Sequence, residues 1–267
     1  MVLRVKHANP NGDPLNGNRP RTDYNGLGEI TDVCLKRKMR DRLLEIGQPV
    51  FVQSDDRKSD DAKSLRERAE KALGKKLGSS ETSELACKQW FDACAFGQLF
   101  ALKKNGKSGD ESGEAGVSIG IRGPVSVQSA FSLQPVEVTS TQITKSVSGE
   151  GDGKKRSSDT MGMKHRVDEG VYTFYGSMNP QLAERTGFND ADAEIIKSIL
   201  PKLFENDCSS FRPDGSMEVL KVLWWKHNCK AGQYSSAKVH RTLSVKPDGV
   251  IEVAPLDGLQ PEIIDGF

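Results

Sequence analysis

"MVLRVKHANPNGDPLNGNRPRTDYNGLGEITDVCLKRKMRDRLLEI", residues 1–46, changes character twice. "MVLRVKHA" alternates Val and Leu with basic residues, the pattern of a short strand. Asn, Gly and Pro then dominate, and such a run reads as a loop. From Asp32 onward Leu35, Met39, Leu43 and Ile46 recur at helical spacing and form one apolar stripe. Thr31 or Asp32 is placed to cap the helix start, and Gly47 followed by Pro49 to stop it. Strand, turn-rich loop and helix therefore open the chain, and cations crowd the helix start: Lys36, Arg37, Lys38 and Arg40. The positive end of a helix dipole gains nothing from such neighbours, which calls for a compensating anion.

The rest of the composition limits what that anion belongs to. A chain of 267 residues is one large domain or two small ones, long enough to bury a core. Net charge is +1, so basicity has to be local to carry an argument for nucleic acid. The 5 cysteines, at 34, 87, 94, 208 and 229, include no CxxC pair, which fits reduced thiols rather than a disulfide framework. No apolar run approaches the roughly 20 residues of a membrane span, and the start lacks the long apolar segment of a signal peptide. The expectation is a soluble cytoplasmic protein with no membrane association.

Further along, residues 54–82 are rich in charge and suit a solvated helix, and "SSETSELACKQWFDACAFGQLFAL" (79–102) reads as a second helical stretch anchored by Trp90, Phe91, Phe96 and Phe100. "KKNGKSGDESGEAG" (103–116) reads as a mobile loop. Residues 117–145 are rich in β-branched types broken by Gly and Pro, hence strands. The polar run 145–166 is followed by a strand signal in "RVDEGVYTFYGSMN", so an extended hairpin is expected to project there from a sheet. "NDADAEIIKSILPKLF" is a helix opening with acids; "MEVLKVLWWKHN" and "AKVHRTLSVK" read as strands. No fixed-period repeat is present. The order fits an α+β class, a ferredoxin-like (RRM-like) βαββαβ core carrying large insertions.

On a helical wheel Lys36, Arg37 and Arg40 share one side, while Lys38 and Arg42 flank the apolar stripe on the other. An ordinary solvated face explains such a run when it stands alone. Asn11, Asn18, Arg19 and Arg21 in the preceding loop change the balance, because loop amides and guanidinium groups at a helix N-terminus suit phosphate oxygens. The Asn/Gly-rich loop lacks the GK[ST] ending of a nucleotide-binding loop and no GxGxxG is present, so a polyanion backbone fits better than a mononucleotide. The polar excursion repeats the theme with Lys154, Lys155, Arg156, Lys164 and Arg166. Met161 and Met163 stand beside its second basic group, placed to wedge between bases or against a neighbouring subunit, unless they are incidental to a surface loop. Tyr172, Phe174 and Tyr175 read as packing, because "VYTFYG" lacks an RNA-recognition signature. His227, Cys229 and His240 fit no zinc spacing. Asp13, Asp23 and Asp32 suit turns and caps, with metal-assisted phosphodiester cleavage as the enzymatic alternative.

"NPNGDPLNGNRPRTD" followed by "DVCLKRKMR" resembles the backbone subunit of CRISPR surveillance complexes (RAMP superfamily), specifically the type I-C Cascade form. "GIRGPVSVQSAFSLQPV" and "MKHRVDEGVYTFYGSMNP" are similar to later blocks of the same family. Members carry more of the first strand before this loop than Met1 onward supplies. The resemblance implies one domain, 1–267, with a ferredoxin-like palm, a helical fingers insertion over about 50–116 and a thumb hairpin over about 145–166. It implies a non-catalytic protein without cofactor or metal that polymerises as a helical filament along a CRISPR guide RNA. Its partners would be that RNA, the target DNA strand through the guide, further copies of itself and other subunits of the complex. By the matching motifs, Asn11, Asn18, Arg19, Arg21, Lys36, Arg37 and Arg40 would hold guide phosphates. Gly120, Arg122, Ser126 and Gln128 would line the RNA path, and Lys145, Met161, Met163, Lys164, His165 and Arg166 would act from the hairpin. An RNA-cleaving backbone subunit using a loop Asp, and a monomeric RNA-binding module, are the alternatives.

Overall fold

The computed structural model describes residues 1–102, 117–144 and 161–267. The loop expected at 103–116 lies outside them, as do Lys145, Lys154, Lys155, Arg156 and the hairpin tip.

The opening strand is β1 (Val2–Ala8), and two-residue strands β2 (Gly12–Asp13) and β3 (Arg19–Pro20) pair inside the following loop. Next come β4 (Leu27–Ile30) and α1 (Asp32–Glu45). The Thr31 hydroxyl accepts the Cys34 amide at 3.3 Å, the N-cap its position called for. Leu35, Met39 and Leu43 are buried as the stripe required, whereas Ile46 stands at the helix C-cap and is 52% exposed; Gly47 follows in the left-handed region at φ 80°.

Helices α2 (Leu65–Leu73), α3 (Thr82–Gln89) and α4 (Phe91–Phe96) form the next layer, then strands β5 (Gln98–Leu102) and β6 (Val117–Ile121). The helical reading of 79–102 therefore runs too far. Gly97 at φ 81° ends α4, and "QLFAL" pairs as a strand with β6. Nor is α2 wholly solvated, since Arg68, Ala69 and Leu73 are buried. Phe51, Trp90 and Phe100 give this region its own small core, with ring centroids 4.6 Å (Phe51–Trp90) and 5.3 Å (Phe51–Phe100) apart.

Strands β7 (Val125–Val127), β8 (Ala130–Pro135), β9 (Val138–Thr144), β10 (Met161–Thr173) and β11 (Gly176–Met178) follow. Residues 161–166, read as part of the polar excursion, belong to β10 and pair with β9 from Thr144↔Met161 to Val138↔Val167. Helices α5 (Pro180–Thr186) and α6 (Asp190–Ile199) come next, α6 opened by an Asn189/Asp192 capping box. β12 (Met217–Trp225), α7 (Ser236–His240), β13 (Leu243–Val245), β14 (Ile251–Val253) and β15 (Pro261–Asp265) complete the chain. "AKVHRTLSVK" is thus half a strand: Ser235 caps a helical turn first, and Leu243–Val245 alone is extended.

The principal sheet runs β15-β12-β1-β10-β8-β4 with β9 beside β10, every named neighbour antiparallel. The apolar residues of central β1 are buried on both of its faces, while Lys6 and His7 are exposed. Leu3 and Val5 meet α1 and α6 in the main core, and Val2 meets Leu223 and Leu243 on the opposite side. Tyr172 is fully buried and Phe174 nearly so, as packing residues should be. The chain is a mixed α+β fold, and no helix among the described residues is long and apolar enough to cross a membrane.

Candidate nucleic-acid interface

The start of α1, the β6–β7 connection, β11 and the start of α5 surround an open cleft of about 550 Å³. Lys36, Gly120, Arg122 and Ser126 line it, four expected site residues drawn from segments more than eighty positions apart in sequence. Local chemistry fixes the geometry. Gly123 turns the chain where a Cβ would sit 2.3 Å from the Ala95 carbonyl oxygen, so no other residue fits without displacing α4. β7 pairs β11 with Ser126 opposite Ser177, which brings two hydroxyl residues together at the cleft. The Asn179 amide donates to the Pro124 carbonyl at 3.0 Å, and its side chain caps α5 at the Gln181 and Leu182 amides.

Lys36 reaches the cleft while bonded to Asp32 at 3.0 Å, and its side chain stays 24% exposed. Arg122 is exposed and has no ion-pair partner among the described residues. Backbone, hydroxyls and two cations, with apolar Phe96 and Ile121 in the same lining, suit a chain of phosphates and riboses.

The Asn-rich loop is organised by its own side chains. Asn11 Oδ1 accepts the Thr31 amide and hydroxyl, both at 2.9 Å, which ties the loop to the cap of α1. Asn9 donates to the Asn18 carbonyl at 2.7 Å, and Asn18 takes φ 58°. Gly12 lets the Asn18 side chain fold over it, since a Cβ there would lie 2.0 Å from Asn18 Oδ1 and push that side chain aside. Arg21 pairs with Asp13 at 3.3 Å. Arg19 reaches across to Ser140 at 2.8 Å, and Ser140 bonds His165 Nδ1 at 2.8 Å, so loop and β9–β10 hairpin are joined. Asn11 and His165 thus have structural partners, whereas Asn18 and Arg19 remain exposed.

On β10, Met161, Met163 and His165 alternate onto one face, Lys164 and Arg166 onto the other. Met161 and Met163 are 55% and 52% exposed; His165, nearer the sheet, is buried. Arg166 lies 3.5 Å from Asp168. Gln128 is exposed, its amide donating to the Tyr175 carbonyl at 2.9 Å, and it stands outside the cleft lining.

The remaining cations of α1 do not face the cleft. Arg37 bonds Asp41 at 3.2 Å and approaches Asp56 at 3.4 Å. Arg40 bonds Asp92 at 2.7 Å, is 12% exposed and lies 5.1 Å from the Phe96 ring centroid. Asp92, almost wholly buried, also accepts the Phe51 and Val52 amides at 2.6 and 3.1 Å. Lys38 bonds Asp207, which Arg212 also meets at 3.1 Å; burial pulls the Lys38 pKa down while Asp207 opposes the shift. The helix is basic, but most of its charge is answered inside the protein.

Sequence reading missed Phe96, Ser177 and Asn179, and only Asn179 carried a signal, as an Asn–Pro helix start. The loop carboxylates have local duties: Asp13 accepts the Leu15 amide at 3.2 Å, Asp23 accepts the Asn25 and Leu27 amides at 2.8 Å, and Asp32 holds Lys36. His227 Nδ1 accepts the Gln233 amide at 3.0 Å, and His240 stacks on Tyr175 with centroids 4.5 Å apart.

A family model for the CRISPR-associated protein Cas7 matches residues 1–260. The chain belongs to the Cas7 family. The CRISPR-associated protein Cas7 of Haloferax volcanii is 28% identical over 222 residues, a span that covers 79% of this chain and 64% of that protein's length. A chain of a solved "CRISPR RNA-guided surveillance complex, pre-nicking" overlays 88% of this chain and 83% of its own, at 13% identity and TM-score 0.47, too distant to bear on the site.

Proposed function

We propose that this Cas7-family chain is a non-catalytic backbone subunit of a type I-C Cascade complex, cytoplasmic, binding guide RNA along its phosphates and polymerising on it. Its palm is ferredoxin-like. The order β12-β1-β10-β8, with α1 after β1 and α5–α6 after β10, supports that reading, since it matches the 4-1-3-2 order of a split βαβ sheet. The region from about 50 to 116 serves as fingers and the β9–β10 hairpin as thumb, its exposed methionines wedging the RNA or meeting the next copy.

The observation that carries the proposal is the cleft, where Lys36 and Arg122 stand over glycine backbone and paired serines. Such a surface holds a strand without reading it, as a subunit serving variable guides requires. Base pairing between guide and target DNA then supplies the sequence specificity. The duties of Asp13, Asp23 and Asp32 in turns and ion pairs favour the non-catalytic form over RNA cleavage.

Nuclease footprinting of the chain assembled on guide RNA tests the proposal. Protection recurring at a fixed nucleotide interval is expected, and one copy per RNA refutes polymerisation. Metal-dependent RNA cutting that disappears in Asp23→Ala or Asp13→Ala overturns the non-catalytic assignment.

A further inference from the structure

After the two arginines of the loop stands a side chain that the phosphate-binding reading leaves unused. Tyr24 is 110% exposed, more than any other large apolar residue described, and belongs to none of the apolar clusters. Its turn is nevertheless rigid. The Asp23 carboxylate accepts the Asn25 and Leu27 amides at 2.8 Å, and the Asp23 amide donates to the Leu27 carbonyl at 2.9 Å. The Gly26 amide closes the turn onto the Asp23 carbonyl at 3.1 Å, with Gly26 at φ 79°. The Val136 amide then bonds the Gly26 carbonyl at 3.0 Å, fastening the turn to the sheet beside the start of the hairpin.

Three residues away Arg21 is bonded to Asp13, and Arg19 reaches Ser140 on the hairpin, so guanidinium groups precede the ring along the same loop. At the loop's other turn, Leu15 is 98% exposed. We infer that Tyr24 is a stacking platform for an unpaired nucleobase of the single strand that the loop's arginines guide. The inference rests on the nucleic-acid reading of the preceding section and adds a base contact to a site otherwise made of phosphate contacts.

Two considerations favour a nucleobase over a protein surface. Protein anchors sit in contiguous, desolvated patches with charge excluded from the centre; the nearest residues to Tyr24 in the chain are Thr22, Asp23, Asn25 and Gly26. Basic groups followed along one loop by an exposed aromatic instead suit a single strand, and every base offers a π-face whatever the sequence. The ring is also held out in advance by a hydrogen-bonded turn, so little ordering entropy is lost when a base lands on it.

The test measures anisotropy of short labelled oligonucleotides, RNA and DNA, with the full chain carrying Tyr24→Ala, Tyr24→Phe, or Lys36→Ala with Arg122→Ala. Tyr24→Ala is expected to weaken binding about ten-fold, the order of one aromatic–base stack. Tyr24→Phe should bind as wild type, and the salt dependence should be unchanged in both. On an abasic oligonucleotide Tyr24→Ala and wild type should bind equally, which ties the loss to a base. Comparing the RNA and DNA arms separates a guide base from a target-strand base. Wild-type binding by Tyr24→Ala on natural oligonucleotides overturns the inference, as does an equal loss on the abasic one. So does a variant that binds the oligonucleotide normally but no longer assembles with further copies, since that assigns the ring to protein. If the Lys36/Arg122 variant keeps the wild-type salt slope, the parent reading fails instead, and a Tyr24 effect confined to natural bases would still stand.

Discussion

Helix α1 carries five cations between residues 36 and 42, while the β6–β7 connection carries one, Arg122. Judged by density, the helix is the nucleic-acid surface. In the fold the order reverses. Arg40 meets Asp92 and Lys38 meets Asp207, both cations largely buried, whereas Arg122 is exposed and unpaired among the described residues. A cation's availability depends on the carboxylates the fold brings to it, and these come from α4 and from the loop before β12. The helix still contributes Lys36, the cation of its first turns that reaches the cleft.

The sharpest way to break this contrast is at Asp92. It answers Arg40 and two backbone amides from a nearly fully buried position, so Asp92→Ala leaves a buried guanidinium and two amides without partners. A loss of about 3–5 kcal/mol is expected from urea unfolding, the scale for removing one member of a buried pair. Arg40→Ala should likewise destabilise. If Arg40→Ala instead weakens RNA binding while the unfolding midpoint holds, the inward assignment of the helix is wrong.

The complementary variant, Lys36→Ala with Arg122→Ala, should leave stability within about 0.5 kcal/mol, because both side chains are at the surface. RNA binding should weaken by the same factor for every sequence, and the slope of log K against log salt should fall by about 1.4, two phosphate contacts on a single strand. Losses that vary with RNA sequence would mean that the cleft reads bases. A stability loss of several kcal/mol would mean that these cations, too, are structural.

What the sequence made legible and what it hid can be argued residue by residue. The apolar stripe of α1, its Thr31 cap and Gly47 stop, the β-rich middle and the hairpin were legible because they depend on neighbours a few positions apart. The Asp32–Lys36 and Arg37–Asp41 pairs were also within reach, at i,i+4 spacing. The partners of Arg40 and Lys38 lie 52 and 169 residues away, and no periodicity announces them. The same distance hides Ser177 from Ser126. The two overlong elements failed locally: Gly97 was given too little weight as a helix stop, and the Ser235 cap was overlooked in a β-branched run.

Acid separates the small core around Phe51 from the principal sheet. Asp60 receives a forked bond from Arg68 at 2.7 and 2.8 Å, and Arg68 also donates to the Phe51 carbonyl at 2.6 Å. That guanidinium bond holds the Asp60 pKa down at about 2, from an ordinary value of 3.8. A depressed carboxylate stabilises the fold above its unfolded pKa and loses that contribution as pH falls through its folded one. Stability should therefore decline between about pH 4 and pH 2, and Asp60→Asn should flatten that limb. Asp60 is partly exposed, so the effect is smaller than at Asp92. An unchanged acid limb in the variant would show that Arg68 is held by the Phe51 carbonyl alone.

The smallest change in stability is expected on β10. Met161→Ser with Met163→Ser removes two half-exposed side chains that belong to no core cluster, so unfolding should shift by no more than about 0.5 kcal/mol. Affinity for short RNA should also hold, because the cleft cations are untouched. What should change is the footprint on a long guide: without apolar side chains to part the bases, cleavage between protected intervals loses its regular spacing. The β9–β10 pairing makes the variant informative, because serine is tolerated on a strand face and the register from Thr144↔Met161 onward is kept by backbone bonds. A footprint as regular as wild type would leave the methionines as surface residues and move the search for the wedge elsewhere on the hairpin. Unfolding at low temperature would place them in a contact the isolated chain does not reveal, and would bring the hairpin closer in character to α1 than to the cleft.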